Sequence, residues 1–370
     1  MKTIQKLSNL RTTILFVLVL ALNFSTVLTS CKKKDKEEPA PTPVVTDTKV
    51  VYVANEEGGT VSVINAASGT VVKTINLMDG SKMFMPHNVQ VAPDGKSVWV
   101  TCVPDVAGDV EQVVVISTTT NAITNRINLG TEQHLAHVVL DDNSTFAYIT
   151  GNESNQVIKV NTQTFAEVSR FELDTAHRPH GLRQFNGKLY VANMDAKSMS
   201  IIDIATSSIN EIPLGGIAVQ TAVTRDGKYA FASLYDTKEV AMYNILTQQV
   251  SKIPLPSGSQ GPIQMYPTPD SKYLYVCDQG GINGNPTSNK VYVIDITASS
   301  VINTLTVGNK AHGIVIDADG KNAYVTNSAD NTVSVIDIPS QMVMNTIIVG
   351  NSPNGISFGY TTNGVMGGQP

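Results

Sequence analysis

The chain has 370 residues, of which 42% are hydrophobic and 15% are charged, a composition that excludes an intrinsically disordered protein. The 26 Lys and Arg residues stand against 31 Asp and Glu residues, which gives a net charge of −5. No basic stripe follows residue 40, so we expect no nucleic-acid partner. Three cysteines are too few for a disulfide scaffold.

The first segment of the chain has the pattern of an export signal. Positive residues precede an apolar run, residues 14–22, which is shorter than the roughly 20 residues that span a bilayer. The sequence Leu28-Thr29-Ser30-Cys31 follows and resembles a bacterial lipobox, in which the cysteine is lipidated and becomes the mature N-terminus. We therefore predict a lipoprotein signal peptide over residues 1–30 and attachment to the membrane through Cys31.

The next segment, residues 31–48, is predicted to be a disordered tether that begins at the lipidated cysteine. It is charged from Lys32 to Glu38 and then rich in proline, a composition that does not pack. Lys32 is not the aspartate that, in the familiar sorting rule, retains lipoproteins in the inner membrane. We expect an outer-membrane lipoprotein that faces either the periplasm or the cell surface.

Repeated strand patterns fill residues 49–360. In one unit, apolar β-branched runs at 312–316, 323–327, 332–337 and 345–350 are separated by turn residues, which predicts four antiparallel strands, A to D. An aromatic residue in strand B recurs about every 40–50 residues, the period of a β-propeller blade. The seven aromatics are Tyr52, Trp99, Tyr148, Tyr190, Phe231, Tyr275 and Tyr324. We predict an all-β, seven-bladed β-propeller of four-stranded antiparallel blades.

The end of the repeats predicts how the ring closes. The chain enters the first blade at strand B, and residues 354–358 have the pattern of a strand A with no strand B after it. We expect this C-terminal strand to complete blade one beside residues 51–54, so that no sheet edge is left open. A flexible tail is expected over residues 361–370.

The strand-B motif resembles that of a known family. Tyr324-Val325-Thr326-Asn327 is the signature of the YVTN propeller repeats, and 52–55 and 190–193 are near copies. Over about residues 49–360 the chain is similar to these repeats, as found in bacterial surface-layer and YncE-like propeller lipoproteins. The resemblance implies a rigid propeller that binds at the mouth of its central channel.

All six histidines fall at one end of the predicted ring, in the loops before strand A or at the start of that strand. The B–C loops of the same face carry acidic residues such as Glu56, which also suit ordinary turns. We expect a ligand-binding ring at this channel mouth. Its members are His87, His137, His180, Gln220, Gln264, His312 and Asn354.

Two interpretations of this ring remain open. Imidazoles suit Zn, Cu or Fe, or the axial position of a haem or corrinoid, and the shared context of His87, His180 and His312 makes them the predicted metal ligands. Alternatively, the polar groups hydrogen-bond loop backbone and trapped water, since no pair of histidines lies within one regular element.

The predicted function is binding of a small ligand or a partner protein at this face, without catalysis, because no nucleophile elbow, P-loop or haem-attachment motif is present. The alternatives are a metal-dependent enzyme or lyase that uses the histidine ring, a surface-layer or adhesion module, and a corrinoid-capture lipoprotein. The last is an analogy with propeller lipoproteins that pass cobalamin to a transporter.

The expected cofactor is a transition metal or a corrinoid or other porphyrinoid. Besides the membrane, the expected partner of this monomer is an outer-membrane transporter or a surface protein.

Overall fold

In a computed structural model of the protein, short runs of Val, Ile, Tyr and Phe, separated by tight turns, form 28 strands over the described residues. The structure describes residues 48–174, 176–282 and 284–360, all within the unit 45–370. The predicted signal peptide, Cys31, the tether up to residue 47 and the C-terminal tail lie outside the described residues. Within the described ranges, no helix has the length and apolarity needed to cross a bilayer.

The strands form seven four-stranded antiparallel sheets, as predicted. Blades one to three contain β1 (Lys49–Asn55), β2 (Thr60–Asn65), β3 (Thr70–Asn76), β4 (Phe84–Val91), β5 (Ser97–Pro104), β6 (Glu111–Ser117), β7 (Ala122–Gly130), β8 (Leu135–Leu140), β9 (Phe146–Gly151), β10 (Gln156–Asn161) and β11 (Glu167–Glu172). Blades four and five contain β12 (Pro179–Phe185), β13 (Lys188–Asn193), β14 (Ser198–Asp203), β15 (Ile209–Pro213), β16 (Ala218–Val223), β17 (Tyr229–Leu234), β18 (Glu239–Asn244) and β19 (Val250–Pro254). Blades six and seven contain β20 (Pro262–Pro267), β21 (Tyr273–Gly280), β22 (Thr287–Asp295), β23 (Ser300–Thr306), β24 (Ala311–Ile316), β25 (Asn322–Asn327), β26 (Thr332–Asp337) and β27 (Met342–Ile348).

The last strand, β28 (Pro353–Tyr360), closes the ring as the sequence predicts. It pairs antiparallel with β1, so that Val51 lies opposite Phe358 and Tyr52 lies opposite Ser357. The sheet order β28-β1-β2-β3 makes β28 the inner strand of blade one. The closure therefore pairs a strand from the end of the propeller with its first strand, so that β1 has no open edge.

The core lies between the blades. All seven strand-B aromatics are at most 2% exposed, and apolar clusters join neighbouring blades. The outer strands, such as β11 and β27, are mostly exposed because they form the rim. Packing between the sheets therefore holds the inner strands in a rigid ring.

Every inner strand carries a β-bulge near its beginning. In β4, Pro86 pairs with Cys102 and Asn88 pairs with Thr101, so His87 is the extra residue. A bulge bends its strand and changes the direction in which the side chains point. The seven ring residues predicted from the sequence all lie in these bulges: His87, His137, His180, Gln220, Gln264, His312 and Asn354.

Candidate metal centre

Hydroxyl groups of strand B hold the bulged backbone in place. Thr150 of β9 accepts a hydrogen bond from the His137 amide at 2.9 Å and donates one to the His180 carbonyl at 2.7 Å. Thr101 of β5 likewise accepts from the Asn88 amide and donates to the Ala136 carbonyl of the next blade. Each hydroxyl therefore ties the bulge of its own blade to the bulge of its neighbour.

Close approach of the inner strands brings these bulges together. A Cβ atom at Gly355 of β28 would lie only 2.7 Å from the Cα atom of Asn88 in β4. Any larger residue at position 355 would push blade one away from blade two. Glycine at this position therefore keeps Asn354 of blade one close to His87 of blade two.

Three histidines from consecutive blades form a cluster. His87, His137 and His180 each offer a ligand nitrogen, and these atoms all lie within 4.8 Å of one another. Their ring centroids are 5.0 to 5.8 Å apart. The His137 side chain is fully buried, and the other two are partly exposed. Three imidazoles that converge in this way are a potential ligand set for a metal ion.

Hydrogen bonds orient two of these imidazoles. The Nδ1–H of His180 donates to the Val219 carbonyl at 3.0 Å. When the ring is neutral, its Nε2 atom is therefore unprotonated and has a lone pair available to a ligand. Nδ1 of His87 lies 3.1 Å from the Glu56 carboxylate, and the Asn354 amide donates to the second Glu56 oxygen at 2.7 Å. The two acceptors therefore turn both Nε2 atoms toward the same point.

The distance between these Nε2 atoms, 3.3 Å, suits a shared ligand. Two nitrogen atoms bound to one tetrahedral zinc ion at about 2.0–2.1 Å are separated by about 3.3 Å. Metal-bound histidines commonly donate their other ring N–H to a carboxylate or a carbonyl. His87 and His180 have one partner of each kind.

Burial keeps the His137 and His180 rings neutral. It lowers the pKa of His180 to about 3, assisted by the charge of His87, and it holds the pKa of His137 well below its usual range. For Glu56, burial acts to raise the pKa, but hydrogen bonds from His87 and Asn354 and the charge of His87 outweigh burial and lower it to about 2. At neutral pH the site therefore contains the neutral imidazoles of His137 and His180 beside an ionised carboxylate.

His312 does not belong to the three-histidine cluster. The sequence suggested His87, His180 and His312 as metal ligands, whereas the structure groups the first two with His137. Blade three lies between blades two and four, while blade one separates His312 from His87. The Nδ1–H of His312 donates to Gln279 at 2.9 Å, and burial lowers the His312 pKa to about 3.

The amide residues complete the ring. Gln220 approaches Nδ1 of His137 through its Nε2 atom at 3.3 Å, while its Oε1 atom accepts from the Thr221 amide. Six buried side-chain polar atoms have no hydrogen-bond partner among the described residues, and four of them are in the ring. The four are His137 Nε2, His312 Nε2, Gln264 Nε2 and Asn354 Oδ1. Unpaired buried polar atoms are costly, so their concentration here indicates a ligand site.

The remaining two histidines lie outside the ring. His134 is exposed beside Glu111, whose carboxylate accepts the His134 backbone amide at 2.8 Å. His177 is buried, with Nδ1 2.7 Å from the Asp174 carbonyl and Nε2 3.2 Å from Glu211. Both residues therefore have surroundings unlike those of the cluster.

Sequence reasoning missed two features of the site. Glu56 was grouped with acidic turn residues, yet its carboxylate contacts His87 directly. Arg183 was not singled out, although it lies on the inner strand β12 three residues after His180. The signal for Arg183 was available, because it pairs with the strand-B aromatic Tyr190 at a position where blade five has Ala222.

The chain's family follows from its sequence profile. The profile of the family described as "Lactonase, 7-bladed beta-propeller" matches residues 18–283. The chain belongs to this family. No curated protein matches the sequence.

Solved structures resemble the propeller at low sequence identity. Hydrazine synthase from Kuenenia stuttgartiensis has a TM-score of 0.65 and 17% identity, over 74% of this chain and 89% of that chain. Virginiamycin B lyase from Staphylococcus aureus has a TM-score of 0.62 and 15% identity, over 75% and 92%. Apo AztD from Citrobacter koseri has a TM-score of 0.59 and 12% identity, over 86% and 100%. These similarities show the fold alone. The chemistry of the site depends on the residues of the ring.

Proposed function

We propose that this protein is a lipid-anchored, extracytoplasmic propeller that captures one transition metal ion at its channel mouth, without catalysis. The ligands are His87, His137 and His180. One observation carries the proposal: the Nδ1 atoms of His87 and His180 face acceptors, while their Nε2 atoms lie 3.3 Å apart. This is the spacing of two nitrogens on one metal ion.

The ligand set favours ions that prefer imidazole. Neutral imidazoles suit Zn, Cu and Ni ions, whereas Mg and Ca ions prefer oxygen ligands. A corrinoid or haem would use a single imidazole as its axial ligand, so three converging nitrogens support a bare ion instead. We choose Zn²⁺ as the probe because it accepts three histidines and a fourth ligand in a tetrahedral arrangement.

A metal-free hydrogen-bond network is the main competitor. If His87 carries two protons, it donates through Nδ1 to Glu56 and through Nε2 to His180, and the same distances result. Metal binding would replace the proton between the two Nε2 atoms. If His87 does carry both protons, zinc uptake releases one of them from the cluster.

The proposed test is a zinc titration of untagged, metal-free protein against a competing chelator. We expect one zinc ion per chain for the wild type and none for the variant that combines H87A, H137A and H180A. The matched control is H134A, which removes an exposed histidine of the same face and should bind like the wild type. Loss of zinc in H134A, or its retention in the triple variant, would contradict the proposal.

The location is supported by the sequence. The apolar leader, the lipobox-like residues before Cys31 and the YVTN-type repeats fit a surface or outer-membrane lipoprotein, which would pass its cargo to a transporter. In a Gram-negative host, the full chain should incorporate labelled palmitate and fractionate with membranes. The C31S variant should do neither. Palmitate incorporation by C31S would contradict lipidation at this residue.

A metal-dependent enzyme is the second candidate. Three protein ligands leave a fourth position open, which is the arrangement of catalytic zinc sites, whereas structural zinc sites have four protein ligands. The family description names a lactonase, and one similar structure is a lyase. Zinc-dependent turnover of a lactone, lost in H180A and kept in H134A, would favour this candidate over simple capture.

A further inference from the structure

Arg183 lies on the inner strand β12, three residues after His180 of the histidine cluster. It belongs to β12 of blade four, yet its charge lowers the pKa of His137 in blade three. Across the ring, Tyr266 of blade six acts electrostatically on Arg183. β12 is the inner strand of blade four, so Arg183 lies on the wall of the channel.

The Arg183 guanidinium has no acidic partner in the part of the chain that the structure describes. Its one hydrogen bond among the described residues runs from Nη1 to the adjacent Leu182 carbonyl at 2.9 Å. No carboxylate of the described residues forms an ion pair with it, although Arg170 and Arg178 both have acidic partners. Burial lowers the Arg183 pKa, which indicates desolvation of the charge. Arg183 is half-buried, and a partly desolvated cation without a counter-charge is costly, so an anion would offset the cost.

We propose that the channel binds a small carboxylate between the metal ion of the proposed site and the Arg183 guanidinium. This inference rests on the proposed metal site, because the metal supplies the second positive charge and an open fourth position. The carboxylate would place one oxygen on the metal and the other on the guanidinium. The protein would then capture the metal together with an anionic ligand.

The spacing along β12 suits such a ligand. In the bulge, His180 and Gly181 together lie opposite the single residue Ala192. His180 and Arg183 are three residues apart in sequence, but the bulge shortens their separation along the strand by one residue. The two residues are therefore separated by the length of about two residues of strand, or about 7 Å. The Arg183 side chain is long enough to turn back over part of this distance.

The proposed test uses Co²⁺ as a coloured substitute for zinc. Acetate is added to the cobalt-loaded protein at constant ionic strength, maintained with perchlorate, and the visible spectrum reports exchange of the fourth ligand. We expect acetate to change the wild-type spectrum, with a half-saturation concentration at least tenfold higher in R183M. The R183K variant should lie between these two. The R178M control removes a charge that is paired with Asp195 and should resemble the wild type.

The outcomes separate the anion site from the metal site. Equal half-saturation in wild type and R183M, or no response to acetate, would overturn the anion site and leave the metal site intact. Failure of the wild type to bind cobalt would overturn the proposed metal site. In that case, melting of metal-free protein with acetate decides the anion question: a stabilisation that R183M loses supports a carboxylate at Arg183, and its absence overturns it.

Discussion

Blades two to four and blades five to seven have the same backbone at the channel mouth, but they carry different chemistry. Both halves have an inner-strand bulge and a strand-B hydroxyl behind it, as in Thr150 and Ser233. The first half supplies three imidazoles that converge, whereas blades five and six supply the amides Gln220 and Gln264. The repeat fixes where a side chain stands, and the residue in the bulge determines what it can bind.

The largest expected effect comes from removing one histidine from each half in turn. The H180A variant removes one of three proposed ligands and should weaken zinc binding by about 100-fold or more. The H312A variant removes a buried imidazole of the other half, whose Nδ1 is bonded to Gln279, and should change zinc affinity by less than about threefold. Competition titrations of both variants measure this difference. Equal losses would mean that the metal site spans both halves.

The next effect concerns Glu56, the carboxylate that orients His87. Replacing it in E56Q removes a charged acceptor from Nδ1 and should weaken zinc binding about tenfold. The neighbouring Glu57 is exposed and accepts a hydrogen bond from Asn351, so E57Q is a matched control that should leave zinc affinity unchanged. A similar loss in both variants would assign the effect to general surface charge.

Removing the strand-B hydroxyl of Thr150 or of Ser233 tests stability and zinc binding separately. T150V leaves the His137 amide and the His180 carbonyl without this partner, and S233A does the same to the Gln220 amide. Both variants should lose about 1–3 kcal/mol of unfolding free energy, measured by denaturant titration. Only T150V should also weaken zinc binding, by several-fold, because it supports two of the ligands. Unaltered zinc binding in T150V would contradict this supporting role.

The two halves should also share a sensitivity to acid. The folded-state pKa values of His180 and His312 are about 3, below the unfolded value of about 6.5. The unfolded state therefore binds more protons between these pH values. The stability of metal-free protein should be complete above about pH 6.5 and should fall as the pH drops toward 3. H180Q and H312Q should each reduce this slope in denaturant titrations, and an unchanged slope would contradict the neutral state of that ring.

The fold was predictable from the sequence because its signals are local and repeated. The strand-B aromatics, such as Tyr52 and Tyr324, mark each blade, and the unpaired strand pattern after residue 353 predicts the closure. The seven ring positions were also predictable, since each lies near the start of an inner strand. The three converging histidines were not, because a β-bulge adds a residue and changes which side chain points inward. The Val219 carbonyl that orients His180 belongs to the backbone and leaves no side-chain signal.

The closing strand has a consequence for biogenesis. The Asn354 amide, contributed by β28, bonds to Glu56 across a separation of 298 residues, and both groups contact Nδ1 of His87. During synthesis, the three histidines of the cluster are therefore made long before Asn354, whose amide holds Glu56 beside His87. The pocket is complete only after β28 has been synthesised and paired with β1. Metal binding at the proposed site would therefore require the closed propeller.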